Sequence, residues 1–376
     1  MGTTGTTAIL SGMGDEIGVQ LVLFRSLILG FVLGLLIFLL SPTIANFGFW
    51  LQAGDDSLKN IGSLYFHARI WDAPFTLMNY VFIGWLLGRG RSDLVLLVTI
   101  IGNVSNIVLD YYFLSVHAMT SDGVGYASAI AQVLQFTISF CIVFFVIHKN
   151  STHLPKLSSY FQIIFKKREF YSLLSFNKDI FIRTALLIIT FSLFRNFSSS
   201  IGKDVLTVNV ILFQFMLIYA FFIDGTGYAM ETISGELFGS GKIIELKKIL
   251  QIALSFAVFI AILLISILIL FPYPILSWIT KEEKLIEDLA IMLPWIFPVF
   301  LLGGIAFVYD GLFLGLVKGR ILRNSMLVSS VAFFLPVAFL GLYLESNPII
   351  WISMSFYMLG RAVTLYYSSR KLLCTI

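Results

Sequence analysis

Asn103, Asn106 and Asp110 stand at i, i+3 and i+7 of an otherwise apolar run, 94–116. Wound as a helix, that run carries two amides and a carboxyl along one stripe. Asp110 lies about six residues short of one end, and Ser128 about four residues into the next apolar run, so at 1.5 Å per residue their depths match. A partly desolvated acid beside an amide and a hydroxyl is a candidate proton carrier, and with more oxygen ligands it would hold Na⁺. A satisfied hydrogen-bond cluster between helices explains the same residues, and the sequence leaves both readings open.

Other ionisable residues also fall inside apolar runs, where each costs about 2.5–3.5 kcal/mol to insert at a helix centre. Arg69 and Asp72 are spaced i, i+3, which suits a charge-neutralising pair and also a substrate contact. Asp179 and Arg183, at i, i+4, read as a structural ion pair. Asp224 beside Gly225 and Gly227, and Asp310 beside Gly311, read as unpaired acids, with Glu231 one heptad beyond Asp224 on the same face. A cavity lined by such acids attracts cations and points to a cationic amphiphile as cargo. Helix packing at the glycines is an equal reason for local openness.

The elements that must position these residues are membrane helices. The chain has 376 residues, 58% hydrophobic and 12% charged, with a mean hydropathy of +0.94. About a quarter of an average soluble protein is charged, so soluble, disordered and collagen-like classes are excluded. Two cysteines, Cys141 and Cys374, make no disulfide framework. Ten runs are long enough to cross a bilayer, at 20–46, 62–88, 94–116, 124–147, 174–200, 204–237, 249–272, 288–316, 324–343 and 348–369. All must be helices, because hydrocarbon tolerates no unpaired backbone.

Alternate loops sort by charge. One set, with the C-terminal tail, carries Arg89, Arg91, Lys149, Lys156, Lys166, Lys167, Arg168, Lys242, Lys247, Lys248, Lys318, Arg320, Arg323, Arg370 and Lys371. The other carries only Lys59, Lys203, Lys281 and Lys284, among eight acids. The positive-inside rule puts the first set and the C-terminus in the cytoplasm. A net charge of +4 spread over the chain gives no nucleic-acid footprint.

Thr7-Ala8-x-x-x-Gly12-x-Gly14 is echoed by Ser234-Gly235-x-x-x-Gly239-x-Gly241, and Gly84-x-x-x-Gly88 by Gly311-x-x-x-Gly315, both at an offset of 227 residues. Both matches fall on the cytoplasmic side, so the repeats are parallel. An N-terminal lobe, 1–150, and a C-terminal lobe, 174–376, are joined by a basic linker, 151–173. The offset predicts that the first half lacks roughly its first 55 residues, one helix and most of a second. Residues 1–11 then read as the last third of a membrane helix.

Pro74, Pro294 and Pro298 should interrupt their helices, as hinges or as static kinks, and Gly30 with Gly34 marks a close helix contact. The four histidines have no metal spacing, no Gly-rich loop ends in Lys, and no cofactor is expected. Gly12-Met13-Gly14-Asp15 and Tyr309-Asp310 match the two motifs of intramembrane aspartyl proteases, but in reversed order. An enzyme is therefore not expected.

The run Tyr65-x-x-x-Arg69-x-x-x-x-Pro74, Gly84-Trp85-Leu86-Leu87-Gly88 and Asn103-x-x-Asn106-Ile107-Val108-Leu109-Asp110 resembles the DNA-damage-inducible protein F branch of the multidrug and toxic compound extrusion (MATE) transporters. Asn177-x-Asp179 with Arg183, Val208-Asn209, Asp224-Gly225 with Tyr228-Ala229 and Glu231, Asp310-Gly311 and Arg323-Asn324-Ser325-Met326 extend the resemblance over the second half. It implies an all-α polytopic protein of the bacterial inner membrane, two six-helix lobes around a central cavity, acting as a monomer. It also implies export of cationic or amphipathic drugs, or of bile-salt-like or oxidant compounds, driven by H⁺ or Na⁺. In that family a polar cluster of the N-terminal lobe binds the coupling cation. Asn106, Asp110 and Ser128, the last more often Thr, match its members, while the acid of the family's first helix falls outside this chain. Asp72 stands where small residues are commoner. A lipid-linked oligosaccharide flippase of related architecture and an inactive truncated relic are the alternatives, and the flippase would favour a cavity rich in Arg and Lys.

Overall fold

In the computed structural model residues 2–51, 56–150 and 167–375 are described, and every regular element among them is helical. Residues 151–166, most of the expected linker, lie outside them. The described residues form two compact units, one within 3–171 and one within 172–375. The first holds α1 (Gly2–Met13), α2 (Glu16–Leu39), α3 (Ser41–Leu51), α4 (Asp56–Arg69), α5 (Ala73–Gly88), α6 (Ser92–Tyr111) and α7 (Ser121–Asn150). Then come α8 (Lys167–Ile201), α9 (Lys203–Gly239), α10 (Ile243–Leu270), α11 (Pro272–Ile279) and α12 (Glu283–Met292), followed by α13 (Phe297–Gly315), α14 (Gly319–Val328), α15 (Leu335–Tyr343) and α16 (Asn347–Thr375).

Nine stretches among the described residues are long and apolar enough to cross a membrane. The tenth expected span, 62–88, is assembled from α4, a tight 3₁₀ turn at Ile70–Asp72, and α5. Pro74 has no N–H for the carbonyl four residues back, and its ring crowds that carbonyl, so the ladder tightens there. A second 3₁₀ turn, Leu293–Ile296, holds Pro294 and precedes Pro298 in the first turn of α13. The continuous helix expected over 20–46 instead ends at Leu39, and α3 starts afresh at Ser41-Pro42. Phe140, Phe144, Phe181, Phe221 and Trp278 are exposed, as suits helices solvated by acyl chains.

Lipid offers no hydrophobic drive between helices, so close packing of small residues matters most. In unit 1 a Cβ built on Gly84 would lie 3.1 Å from Thr4 Oγ1, and one on Gly88 would lie 2.6 Å from Thr7 Cβ. In unit 2 Gly311 meets the backbone of Gly227, and Gly315 meets the Glu231 carbonyl and the Ser234 hydroxyl. Thr4 and Thr7 correspond to Glu231 and Ser234 at the offset of 227. The repeat thus preserves a helix contact, α1 on α5 and α9 on α13, as well as residue types.

Backbone geometry obeys the same offset. The six described residues with φ in the left-handed region form three pairs 227 apart: Gly14 with Gly241, Gly90 with Val317, and Ala118 with Glu345. Another paired contact has changed hands. In unit 1 glycine is on α2, where a Cβ on Gly30 would lie 3.4 Å from the Leu77 carbonyl. At the matching places of unit 2 Ala257 is on α10 and the glycine is Gly304 on α13, whose built Cβ would lie 3.5 Å from Ala257 Cβ. Gly34 in turn meets the backbone of Pro74.

Candidate functional site

In unit 1, α6 and α7 bring Asn106 and Ser128 together, with the Asn106 amide donating to Ser128 Oγ at 3.3 Å. Asp110 stands one helical turn further along α6, half-buried, and its Oδ1 is buried without a hydrogen-bond partner. Asn103 is exposed. A buried carboxylate oxygen left without a donor is costly, about 1–3 kcal/mol, so a proton or a cation has a physical reason to sit there.

Arg69 and Asp72 line one cavity of about 250 Å³, with Tyr65 and Thr76. The Arg69 guanidinium donates to the Tyr65 hydroxyl, and Thr76 Oγ1 donates to Asp72 Oδ2 at 3.0 Å. Each of the two charged residues thus takes a local hydroxyl partner one turn away on its own segment, and they are not bonded to each other. Asp15, the acid of the protease-like motif, caps α2, accepting from the Gly18 N–H at 2.9 Å.

Unit 2 departs from expectation. Asp310 is not an unpaired acid: Arg183 of α8 and Arg361 of α16 both donate to its Oδ2. Nor do Asp179 and Arg183 pair with each other. Asp179 accepts from Arg323 of α14 at 2.6 Å, and Arg183 turns to Asp310. One helical turn separates Asp179 from Arg183, but neighbours packed on α8 offer each a partner with better geometry than the i, i+4 reach. Arg361 is 1% exposed, and its guanidinium lies 5.2 Å from the Phe307 ring centroid and 5.7 Å from that of Tyr357. Asp224 shares a cavity of about 200 Å³ with Arg183, Arg361 and Tyr219. Glu231 is buried, with its backbone carbonyl against Gly315.

Arg361 is the residue sequence reasoning passed over. Its signal was present, a lone base between Leu359-Gly360 and Ala362-Val363 inside an apolar span. The rule applied to the acids, that an ion persisting in a membrane helix has a partner or a cavity, applies equally to bases.

Two helical units related by a parallel repeat, each holding ionisable groups inside membrane helices, define a multi-pass transporter of the two-lobed kind. The MatE family model matches residues 1–112 and 180–340, and the chain belongs to that family. It is 26% identical over 365 residues to DNA damage-inducible protein F of Escherichia coli, covering 97% of this chain and 78% of that protein. The probable multidrug resistance protein NorM of Pasteurella multocida is 26% identical over 300 residues, covering 75% of this chain and 61% of that one. Among solved structures, a MOP superfamily transporter from Pyrococcus furiosus superposes with a TM-score of 0.88 at 18% identity, over 98% of this chain and 82% of that one. An outward-facing multidrug resistance MATE family transporter gives 0.89 at 18% identity, over 100% and 83% of the two chains. At such identities these structures speak for the fold.

Proposed function

We propose that the chain is a cation-coupled antiporter that exports cationic or amphipathic organic compounds across a bacterial inner membrane, with its C-terminus in the cytoplasm. H⁺ or Na⁺ binds at Asp110, with Asn106 and Ser128 completing the polar cluster and Asn103 at its edge. In unit 2 Asp224 meets the cargo's positive charge, while Asp310 and Glu231 shape its surroundings, and Arg69 and Asp72 form a second polar contact in unit 1. The observation that carries the reading is the buried Asp110 oxygen without a partner, one turn from the Asn106–Ser128 hydrogen bond. One proton moving down 100 mV releases about 2.3 kcal/mol, enough for roughly a 50-fold gradient of a neutral compound.

Ethidium efflux from cells expressing the chain tests this. Asp110→Asn, which removes the titrating charge but keeps the shape, is expected to slow initial efflux at least tenfold at equal membrane abundance. Unchanged efflux would remove Asp110 from coupling, and a wild-type chain that expels nothing would remove the antiport reading itself.

A further inference from the structure

The charged cavity of unit 2 contains more donors than it uses. Arg183 and Arg361 are 8% and 1% exposed, and both spend terminal nitrogens on the single oxygen Asp310 Oδ2. Their Nε–H groups are buried without an acceptor. Both residues line the same space of about 200 Å³, together with Asp224, Phe191 and Phe307. A guanidinium presents its donors in a fixed fork, so two arginines that line one cavity with donors unspent favour an acceptor there, and a carboxylate is the group whose two oxygens fit two such forks.

Charge limits what the carboxylate can belong to. Arg183 and Arg361 carry two positive charges, and Asp310 and Asp224 two negative ones, so the empty cavity sums to zero. A simple organic acid would leave an excess negative charge in a membrane-embedded space, which is costly. A molecule that carries its own ammonium adds none, and Asp224, whose carboxylate makes no hydrogen bond or ion pair to a described residue, is the acid available to receive it. Aromatic walls and a volume below that of pockets for drug-sized ligands, about 300–1,000 Å³, restrict the occupant to a small molecule or the headgroup of a larger one.

We propose that this cavity is a binding site for a small zwitterionic organic molecule with an apolar or aromatic body. Its carboxylate sits on Arg183 and Arg361, and its ammonium on Asp224. The proposal extends the cargo contact assigned above to Asp224 and rests on it to that extent. It adds a carboxylate as an equal partner, which the transport reading does not require.

Isothermal titration of the full chain in lipid nanodiscs, with three probes that share a phenyl ring, separates the two. L-phenylalanine is expected to bind at least tenfold more tightly than either 3-phenylpropionate, which lacks the ammonium, or phenethylamine, which lacks the carboxylate. Arg183→Gln, which leaves the Arg361–Asp310 pair in place, should weaken phenylalanine binding at least tenfold. Ala220→Leu fills the cavity without touching a charge and should abolish binding with the melting temperature preserved, so a folding failure of the arginine variant does not end the test. Phenethylamine binding as tightly as phenylalanine would overturn the proposal while leaving a cation site at Asp224. Phenylpropionate binding equally well, or no heat from any of the three, would overturn it as well. Since binding is read at equilibrium, the outcome does not depend on whether the chain moves ethidium.

Discussion

Val317 occupies in unit 2 the turn that Gly90 occupies in unit 1, 227 residues earlier, and the two share left-handed φ values of 54° and 70°. The hydrogen bonds also correspond. Arg91 N–H bonds the Leu86 carbonyl at 2.9 Å and Gly90 N–H the Leu87 carbonyl at 2.8 Å, while Lys318 and Val317 repeat both bonds to Phe313 and Leu314 at 2.9 and 3.1 Å. This is the double closure that ends a helix with one left-handed residue. A β-branched side chain there is strained by about 1–2 kcal/mol.

Val317→Gly is therefore expected to stabilise the chain by about 1 kcal/mol despite the greater freedom of unfolded glycine, and Gly90→Val to destabilise it by about the amount of the strain. Thermal unfolding in detergent, followed by circular dichroism, reads both. A lower melting temperature for Val317→Gly would show that the valine side chain holds the turn through contacts that outweigh its backbone strain.

Gly88 and Gly315 set the approach of α1 to α5 and of α9 to α13, with a Cβ at Gly88 placed 2.6 Å from Thr7 Cβ and one at Gly315 inside the backbone of Glu231. Either residue changed to Val should force the helix pair apart and sharply reduce folded protein recovered from membranes. Gly225→Ala, with nothing within 4 Å of the added carbon, should be recovered as the wild type is. Equal recovery of all three would mean that the close approach is not what holds these helices.

Removing one arm of a buried ion triad costs more than the triad contributes as a whole, because the charges left behind stay desolvated. Arg361→Met should destabilise by about 3–5 kcal/mol. Adding Arg183→Met and Asp310→Leu, which removes the other two desolvated charges of the triad, should recover part of that loss. A triple variant no more stable than Arg361→Met alone would place the cost in lost packing of the guanidinium against Phe307 and Tyr357.

Much of the architecture was legible because lipid imposes one rule on every span, a run of about 20 apolar residues, and because glycines at a helix contact leave a periodic mark. The ends of the elements were less so: α2 stops at Leu39 and the α4–α5 helix breaks at Ile70 because of prolines three and four residues on, Pro42 and Pro74, an effect hydropathy does not register. Matching depths on consecutive helices paired Ser128 with Asp110, whereas its hydroxyl meets Asn106, one turn away on the same stripe. The Arg183–Asp310–Arg361 cluster was not legible, since its members are 127 and 51 residues apart and their meeting depends on how α8, α13 and α16 are rotated about their own axes. Local spacing instead suggested Asp179 as the partner of Arg183, the choice that helix packing overrules.

Both cysteines are exposed, but Cys141 lies within the span Ser121–His148 and Cys374 at the end of the last helix. A thiol must ionise to react, and an impermeant maleimide reaches only thiols in water. Labelling at Cys374 is expected in inverted vesicles and not in intact cells, with Cys141 silent in both. Labelling of Cys374 from outside would reverse the proposed orientation.

The reciprocal placement of Gly30 against Leu77 and of Ala257 against Gly304 means that the two halves have drifted as matched pairs. Transplanting α2 into the place of α10 would set glycine against glycine and open a gap. The opposite graft would set alanine against a leucine-bearing helix already at contact distance. Each half has become a lock cut for its own key, so a chimera exchanging single helices should fail where one exchanging both partners of a contact would fold, despite the ancestry their shared offset records.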